Sequence, residues 1–372
     1  MADLTIETLT VAYGGTQVLN GVSLQVARGE FVALLGSSGC GKTTLLRAVS
    51  GFVPVTGGRI AIAGRDVTAT PPERRDTAMV FQSYALWPHM TAAQNIGYGL
   101  KLRRTPRPRI EERVAEMLRL LKLDGMAGRN VTQLSGGQRQ RVALGRALAI
   151  SPDILLLDEP LSNLDARIRL ELRHEIRALQ QRLGITALHV THDREEAMVM
   201  ADRIVIMNAG SIAQAGSPEE VYHRPASPFV ASFMGADNVV ALRAERDGGT
   251  LSVAAGADHD AARLPVGQEV GDGGLHLAAD TDLAADAGGL ITAHFRSEAA
   301  RLAASGEAPE GALVLRGRIT QTAYPGGRWR YGVAVGGTAF LVDDGERRAV
   351  GDAVGIVIPP SALHCYPLRD AA

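Results

Sequence analysis

The sequence predicts an α/β fold with a parallel sheet, followed by a second, smaller β domain. Three observations carry this. The short apolar runs "FVALL" (31–35) and "ILLL" (154–157) read as strands buried on both faces. Apolar residues between and after them recur at helical spacing. Beyond about residue 236 the composition shifts to Ala, Gly and Asp with short strand patterns. The expected domains are therefore 1–236 and 237–372.

Taken in order, "FVALL" leads into the glycine-rich "GSSGCGKT" (36–43), and "TTLLRAVSG" after it reads as a helix. Ile110, Val114, Met117, Leu118 and Leu121 form one apolar stripe, which Asp124-Gly125 should end. Ile168, Leu172, Ile176, Leu179 and Leu183 form another, ending at Gly184. "ITALHVTH" (185–192) follows as a strand. "RIVIMNAGSIAQAG" (203–216) reads as a hairpin turning at Asn208-Ala209-Gly210. In the tail, "LVLRGRIT" (313–320), "RWRYGVAV" (328–335) and "AVGIVI" (353–358) read as strands, reached by a loose Ala-, Gly- and Asp-rich connection.

A chain of 372 residues suits two domains, and 46% hydrophobic content can bury a large core. The net charge of −1 gives no electrostatic argument for nucleic acid, and none is expected as a partner. Cys40 and Cys365 form neither a metal spacing nor a disulfide framework, which fits a reducing compartment. No secretory signal is expected at "MADLTIETLT", and no apolar run is long enough to span a bilayer.

"GSSGCGKT" matches G-x-x-x-x-G-K-[ST] in the right context, strand before and helix after. Gly36, Ser37, Ser38, Gly39, Cys40 and Gly41 let backbone N–H groups converge on an anion. The helix N-terminus adds partial positive charge. Lys42 would reach the β- and γ-phosphates of ATP, Thr43 would ligate Mg²⁺, and Thr44 can bond a further phosphate oxygen. Asp158 leaves the end of a buried strand and can hold Mg²⁺. Glu159 can act as general base towards water. Gln82, after the apolar "MV", can touch both Mg²⁺ and that water. His192 can bond the γ-phosphate. A lone Gln or His is readily structural, so these two gain weight only as a set with the loop and carboxylates. Tyr13 is either an adenine platform or core.

"LSGGQRQRVALGRALA" (134–149) raises a second question. Ser135 is a plausible N-cap, and Gly136-Gly137 open another anion-binding helix end. Yet it carries no lysine or metal ligand of its own. A head-to-tail pair of chains resolves this, each closing over the partner's nucleotide. A glycine-opened structural helix is the alternative.

In sequence order, "GSSGCGKT", Gln82, "LSGGQ", "ILLLDEP", "SNLD" (162–165) and "THD" (191–193) resemble the six motifs of ABC transporter ATPases. These are Walker A, Q-loop, signature, Walker B, D-loop and H-loop. The resemblance covers 1 to about 236 and implies a RecA-like P-loop core with an inserted helical subdomain, about 88–150. It implies a homodimeric nucleotide sandwich. Tyr13 would stack on adenine, and Ser135, Gly137 and Gln138 would bind ATP held by the partner. Asp165 would lie at the dimer interface. "FQSYALWPHMTAAQNIGYGL" and "GSPEEVYHRPASPFVASFMG" resemble importer ATPases of the iron(III), polyamine, phosphonate and maltose type, which carry a C-terminal OB-like β module called TOBE. "HFRSEAARL" resembles a segment of that module, with Ser297 where proline is usual.

The resemblance implies a peripheral subunit at the cytoplasmic face of the inner membrane, bound to integral membrane permeases. An extracytoplasmic solute-binding protein would act with it indirectly. Tyr84 to Met90 would receive the permease's coupling helix. Trp87 would be an anchor if exposed and core if buried. The rival readings are a non-transport ABC ATPase and a transport-coupled regulator. A single phosphate loop and the lack of sustained heptads count against the first. The extra β domain permits the second as an added role.

Overall fold

The computed structural model describes residues 2–247, 249–267, 275–277, 289–307 and 309–368. The chain divides into two compact units, Met1–Pro218 and Glu219–Ala372.

The first unit opens with β1 (Ala2–Tyr13) and β2 (Thr16–Ala27), an antiparallel pair, then β3 (Phe31–Gly36) and α1 (Lys42–Ser50). β4 (Gly57–Ile62) and β5 (Arg65–Asp66) extend the first pair into an antiparallel sheet ordered β2-β1-β4-β5. β6 (Thr77–Val80) follows, then three helices: α2 (Ala92–Leu102), α3 (Arg107–Leu120) and α4 (Gly136–Ala149). The chain continues through β7 (Ile154–Asp158), α5 (Ala166–Leu183), β8 (Thr186–Val190) and α6 (Arg194–Met200). It closes on the hairpin β9 (Arg203–Asn208) and β10 (Ser211–Gly216), turning at Ala209-Gly210 as expected.

The second sheet runs β10-β9-β3-β8-β7-β6. Its inner pairs are parallel, and every residue of β3, β7 and β8 is buried, as continuous apolar runs require. Parallel strands in register send their C-terminal ends to one edge, where ligands of open α/β sheets sit. The glycine loop, Gln82, Asp158-Glu159 and His192 all follow such ends. The RecA-like reading therefore holds.

Ile96, Val114, Met117, Leu118, Leu121 and Leu144 of the three-helix segment share one core cluster with β7 residues Leu155 and Leu157. α3 does not run to Asp124-Gly125. It stops at Leu120 in a Schellman turn: the N–H of Leu123 bonds the carbonyl of Leu118 (2.8 Å), and that of Lys122 bonds Arg119 (3.2 Å). Lys122, at φ +55, takes the left-handed position where glycine is usual, so the stop carries no glycine signal. α5 does end at Gly184, at φ +60.

The second unit holds two sheets. One is ordered Arg301–Ala304, Ala353–Ile358, Leu313–Gly326, Arg328–Val335, Thr338–Asp344. The other is ordered Ala262–Pro265, Thr250–Val253, Asn238–Asp247, Leu290–Phe295, His364–Pro367, His276–Leu277. Phe295, Leu315, Tyr331 and Ile356 are fully buried between them. Thr250–Val253 and Ala262–Pro265 are paired strands inside the stretch expected to be a loose connection; part of that stretch lies outside the described residues. Residues 219–236 group with this unit rather than with the core. The reason is a set of buried hydrogen bonds. The Arg296 guanidinium donates to the carbonyls of Met234 (3.2 Å) and Tyr222 (2.8 Å), and the Tyr366 hydroxyl donates to Pro225 (2.8 Å). Ser297 donates to Asp343 Oδ2 at 2.8 Å, a bond that proline could not make.

Buried Arg75 fixes the glycine-loop helix from below. Its guanidinium donates to the α1 end carbonyls Ala48 (2.7 Å) and Val49 (3.0 Å), and to Thr70 (2.6 Å) and Thr68 (3.0 Å). Helix-end carbonyls have no partner within the helix, so this single cation satisfies two of them. Arg75→Ala should cost about 3 kcal/mol or more, and Arg75→Lys should recover little of it. Urea unfolding measures this; a loss below about 1 kcal/mol would mean that water replaces the guanidinium.

Candidate functional site

The glycine loop begins where β3 leaves the sheet. A Cβ on Gly36 would lie 2.4 Å from the Met207 carbonyl oxygen and 2.6 Å from Cys40 Sγ, so only glycine fits. Gly41 caps α1 at φ +104, a conformation that side chains avoid. Ser37, Ser38 and Gly39 are exposed at the rim; Cys40 is buried beneath it. Lys42 is buried, and its ammonium folds across the loop. It donates to the carbonyls of Gly36 (2.7 Å) and Ser37 (2.9 Å) and lies 3.7 Å from Cys40 Sγ.

Thr43 Oγ1 donates to Asp158 Oδ1 at 3.2 Å. Thr44 is half-buried one residue on. Arg47, one turn along α1, lies 3.8 Å from Asp158 Oδ2. Burial pushes the Asp158 carboxyl above its ordinary range, although Thr43 and Arg47 pull it down. The carboxyl is thus a desolvated anion short of positive charge. Glu159, next in sequence, sits at φ +45 with its N–H on Val190 (3.1 Å). Two of the sequence candidates meet at its Oε2: His192 Nδ1 at 3.3 Å and Gln82 Nε2 at 3.5 Å. The structure therefore joins Thr43, Arg47 and Asp158 on one side and Gln82, Glu159 and His192 on the other, linked through the Asp158-Glu159 peptide, while Lys42 bonds to its own loop.

Four residues here make contacts that the sequence reading did not assign, although Ser162 and Asn163 lie within the quoted "SNLD". Asn163 Nδ2 donates to the Gln82 carbonyl (2.9 Å), and Ser162 Oγ to the Glu159 carbonyl (2.9 Å). Arg146 of α4 donates to the carbonyls of Tyr84 (2.8 Å) and Ala85 (2.7 Å), which are left-handed at φ +63 and +46. Arg47 was legible in principle, since it shares a helix face with Thr43.

The remaining candidates lie apart from this cluster. Ser135 caps α4: its Oγ accepts from the N–H of Gln138 (3.3 Å), and Gln138 Oε1 accepts from the N–H of Ser135 (2.9 Å). Their polar contacts are with each other, not with the glycine loop. Gly137 brings the helix against Ile168. Asp165 caps α5 by accepting from the N–H of Ile168 (3.0 Å). Tyr13 ends β1 with 48% of its surface exposed, so it is not core.

The ABC transporter family model matches residues 19–162, and the TOBE domain model matches 295–365. The chain is 50% identical over 276 residues to the sn-glycerol-3-phosphate import ATP-binding protein UgpC of Burkholderia mallei, covering 73% of this chain and 75% of the relative. The chain belongs to the ABC transporter ATP-binding family. A UgpC of Rhizobium etli is 51% identical over 263 residues (69% and 76%), and one of Jannaschia sp. 51% over 264 (71% and 76%). This ATP-hydrolysing transporter subunit thus has a TOBE domain at its C-terminal side, as expected. The expected iron(III), polyamine, phosphonate or maltose grouping is not supported; these relatives are named for a different solute.

A raised carboxyl pKa means that the folded transporter subunit holds a proton more tightly at Asp158 than the unfolded chain does. Its contribution to stability therefore falls as pH rises through the carboxylate range. Asp158→Asn should remove that penalty, leaving nucleotide-free protein at pH 7.5 at least as stable as the parent. The added stability from Mg²⁺ and ATP should disappear. Thermal melts from pH 4.5 to 7.5 test both; a less stable nucleotide-free variant at pH 7.5 would contradict the assignment.

Proposed function

We propose that this chain is the ATPase subunit of a bacterial-type importer for sn-glycerol-3-phosphate, working as a homodimer on the cytoplasmic face of the inner membrane. The importer names of its relatives support the direction of transport and the solute. No helix among the described residues is long and apolar enough to cross a membrane, so passage needs integral membrane permease subunits. Solute choice would rest with those subunits and an extracytoplasmic binding protein.

The observation that carries the catalytic reading is the convergence of Gln82 and His192 on Glu159 Oε2 beside Asp158. The exposed backbone of Ser37 to Gly39 and the N-terminus of α1 bind the phosphates of ATP. Lys42 exchanges its loop carbonyls for phosphate oxygens, a charge-assisted contact. Thr44 binds a further phosphate oxygen, and exposed Tyr13 stacks on adenine. Thr43, Asp158 and Gln82 offer the hard oxygen donors that suit Mg²⁺, and Asp158 is a buried carboxylate short of positive charge. Mg²⁺ bound there would neutralise charge on the β- and γ-phosphates. Gln82 orients the attacking water, and Glu159 Oε2 takes its proton. His192 turns from Glu159 to the γ-phosphate. Ser135, Gly137 and Gln138 complete the site of the partner chain, since α4 opens on two glycines without a lysine or metal ligand of its own.

Glu159→Gln keeps the shape but cannot accept the proton. Turnover should fall by roughly 10²–10⁴-fold while ATP binding survives and ATP holds two chains together. Size-exclusion chromatography with ATP reads the dimer. Adding Ser135→Arg should abolish that dimer without weakening nucleotide binding by single chains. Near-parental turnover in Glu159→Gln would end the general-base assignment.

Trp87 stands just beyond Gln82, 41% exposed, with its ring on Tyr98 (5.5 Å between centroids). Fully buried Asn95 holds its backbone by accepting from the Trp87 N–H (2.9 Å) and donating to its carbonyl (3.2 Å). Beside it, His89, Met90, Tyr98 and Ile110 help line a cleft of about 470 Å³. A rigid backbone with a half-exposed indole suits a docking anchor for the permease. Trp87→Ala should weaken co-purification with the permease by about 2 kcal/mol or more and leave nucleotide binding intact. An unaltered complex with full transport would put the anchor elsewhere.

A further inference from the structure

His192 is 64% exposed, so little packing holds its ring. Its position must come from its backbone, and that backbone is clamped on both sides. On one side, Thr191 N–H donates to the Leu34 carbonyl (3.2 Å), and Thr191 Oγ1 donates to Glu196 Oε2 (2.7 Å). On the other, Asp193 Oδ1 caps α6 by accepting from the N–H groups of Glu195 (2.9 Å) and Glu196 (3.2 Å). The second oxygen of Asp193 accepts from Arg173 Nη2 at 2.7 Å.

Arg173 sits mid-way along α5 with only 5% of its side chain exposed. Besides Asp193, its guanidinium faces Glu195 Oε2 (3.2 Å) and Glu196 Oε1 (3.9 Å). All three carboxylates belong to the four residues after His192. Arg169, one turn earlier, reaches Asp193 Oδ2 at 3.5 Å and bonds the Leu164 carbonyl (3.1 Å). Burial works against the Glu196 charge, but His189, Thr191 and Arg173 together hold its carboxyl below the ordinary range. Without Arg173, Asp193 would lose its shorter ion pair and keep only Arg169 at 3.5 Å, and buried Glu196 would lose its guanidinium neighbour, which loosens the turn carrying His192.

α5 also begins at the segment that touches the water-orienting residue. Asp165 caps it, and Asn163, two residues before that cap, bonds the Gln82 carbonyl. One helix therefore braces the Gln82 side and the His192 side of Glu159.

We infer that Arg173 is a positioning residue for ATP hydrolysis, fixing the backbone turn that carries His192 through its ion pair with Asp193. This rests on the reading of His192 as a γ-phosphate ligand. Small displacements of a positioned group cost rate far more than they cost binding. Arg173→Met keeps the length and apolar stem but removes the charge. It should lower kcat by about 10–100-fold, with KM and ATP affinity within about three-fold of the parent. Arg173→Lys should restore part of the rate, because it keeps the charge and loses the fork. Combined with His192→Ala, Arg173→Met should slow the enzyme no further, since both act through one group.

The measurements are steady-state ATPase kinetics and ATP-binding titrations on the full chain. If His192→Ala keeps full turnover, the γ-phosphate reading fails and this inference with it. If His192→Ala is slow but Arg173→Met has parental kcat, or slows the double variant further, only the positioning role is overturned. Should Arg173→Met fail to fold, Asp193→Asn keeps a helix cap while losing the ion pair. It must then show the same kcat-selective loss, and an unchanged kcat would overturn the inference.

Discussion

The register of the parallel strands is the constraint on which the site depends. Val80 pairs with Leu157, Asp158 with Val190, and Leu34 with Val190. Gln82, Glu159, His192 and the glycine loop each follow one of these strands by only a few residues. Because the strands are buried on both faces, a one-residue slip would exchange the side chains of two packed faces and misfit both cores. The core thus sets the spacing of the polar groups at its edge. Loops then need only a short reach.

Local devices refine that spacing where backbone geometry is unfavourable. Glu159, Tyr84 and Ala85 are non-glycine residues in the left-handed region, a conformation that costs free energy and persists only when surroundings enforce it. Around Glu159 the enforcement comes from Val190 and Ser162; around Tyr84 and Ala85 it comes from Arg146. Arg75 does the same for the end of α1. Each device uses a cation or hydroxyl to satisfy carbonyls that no ladder reaches. The polar groups that hold the site are therefore as specific as those that would touch nucleotide.

Much of this was legible in sequence because it rests on local rules. Continuous apolar runs located β3 and β7, and Gly184 located the end of α5. Asn208-Ala209-Gly210 located the hairpin. The glycine loop and the acidic pair at a strand end identified the nucleotide side of the site. The rest depends on distant partners. Lys122 occupies a turn position that normally advertises itself with glycine. Arg75, Arg146 and Arg173 look like any surface arginine until the fold buries them among carbonyls or carboxylates. Residues 219–236 are claimed by the second unit through Arg296 and Tyr366, which stand more than sixty positions away. The transported solute could not be read from the sequence, and the importer types it resembled do not include the solute for which the relatives are named.

The folded-back ammonium of Lys42 sets an entry condition for the loop. Gly36 and Ser37 accept from the cation, so two carbonyls of the loop itself compete for it. An incoming anion must outcompete two carbonyl oxygens before it gains the charge. A single free phosphate offers few contacts beyond that exchange. A triphosphate brings oxygens for the loop N–H groups, the Thr43 and Thr44 hydroxyls and the lysine together, so the exchange is one favourable step among several. An anion that grips at several points would thus gain more from this loop than one that offers a single contact.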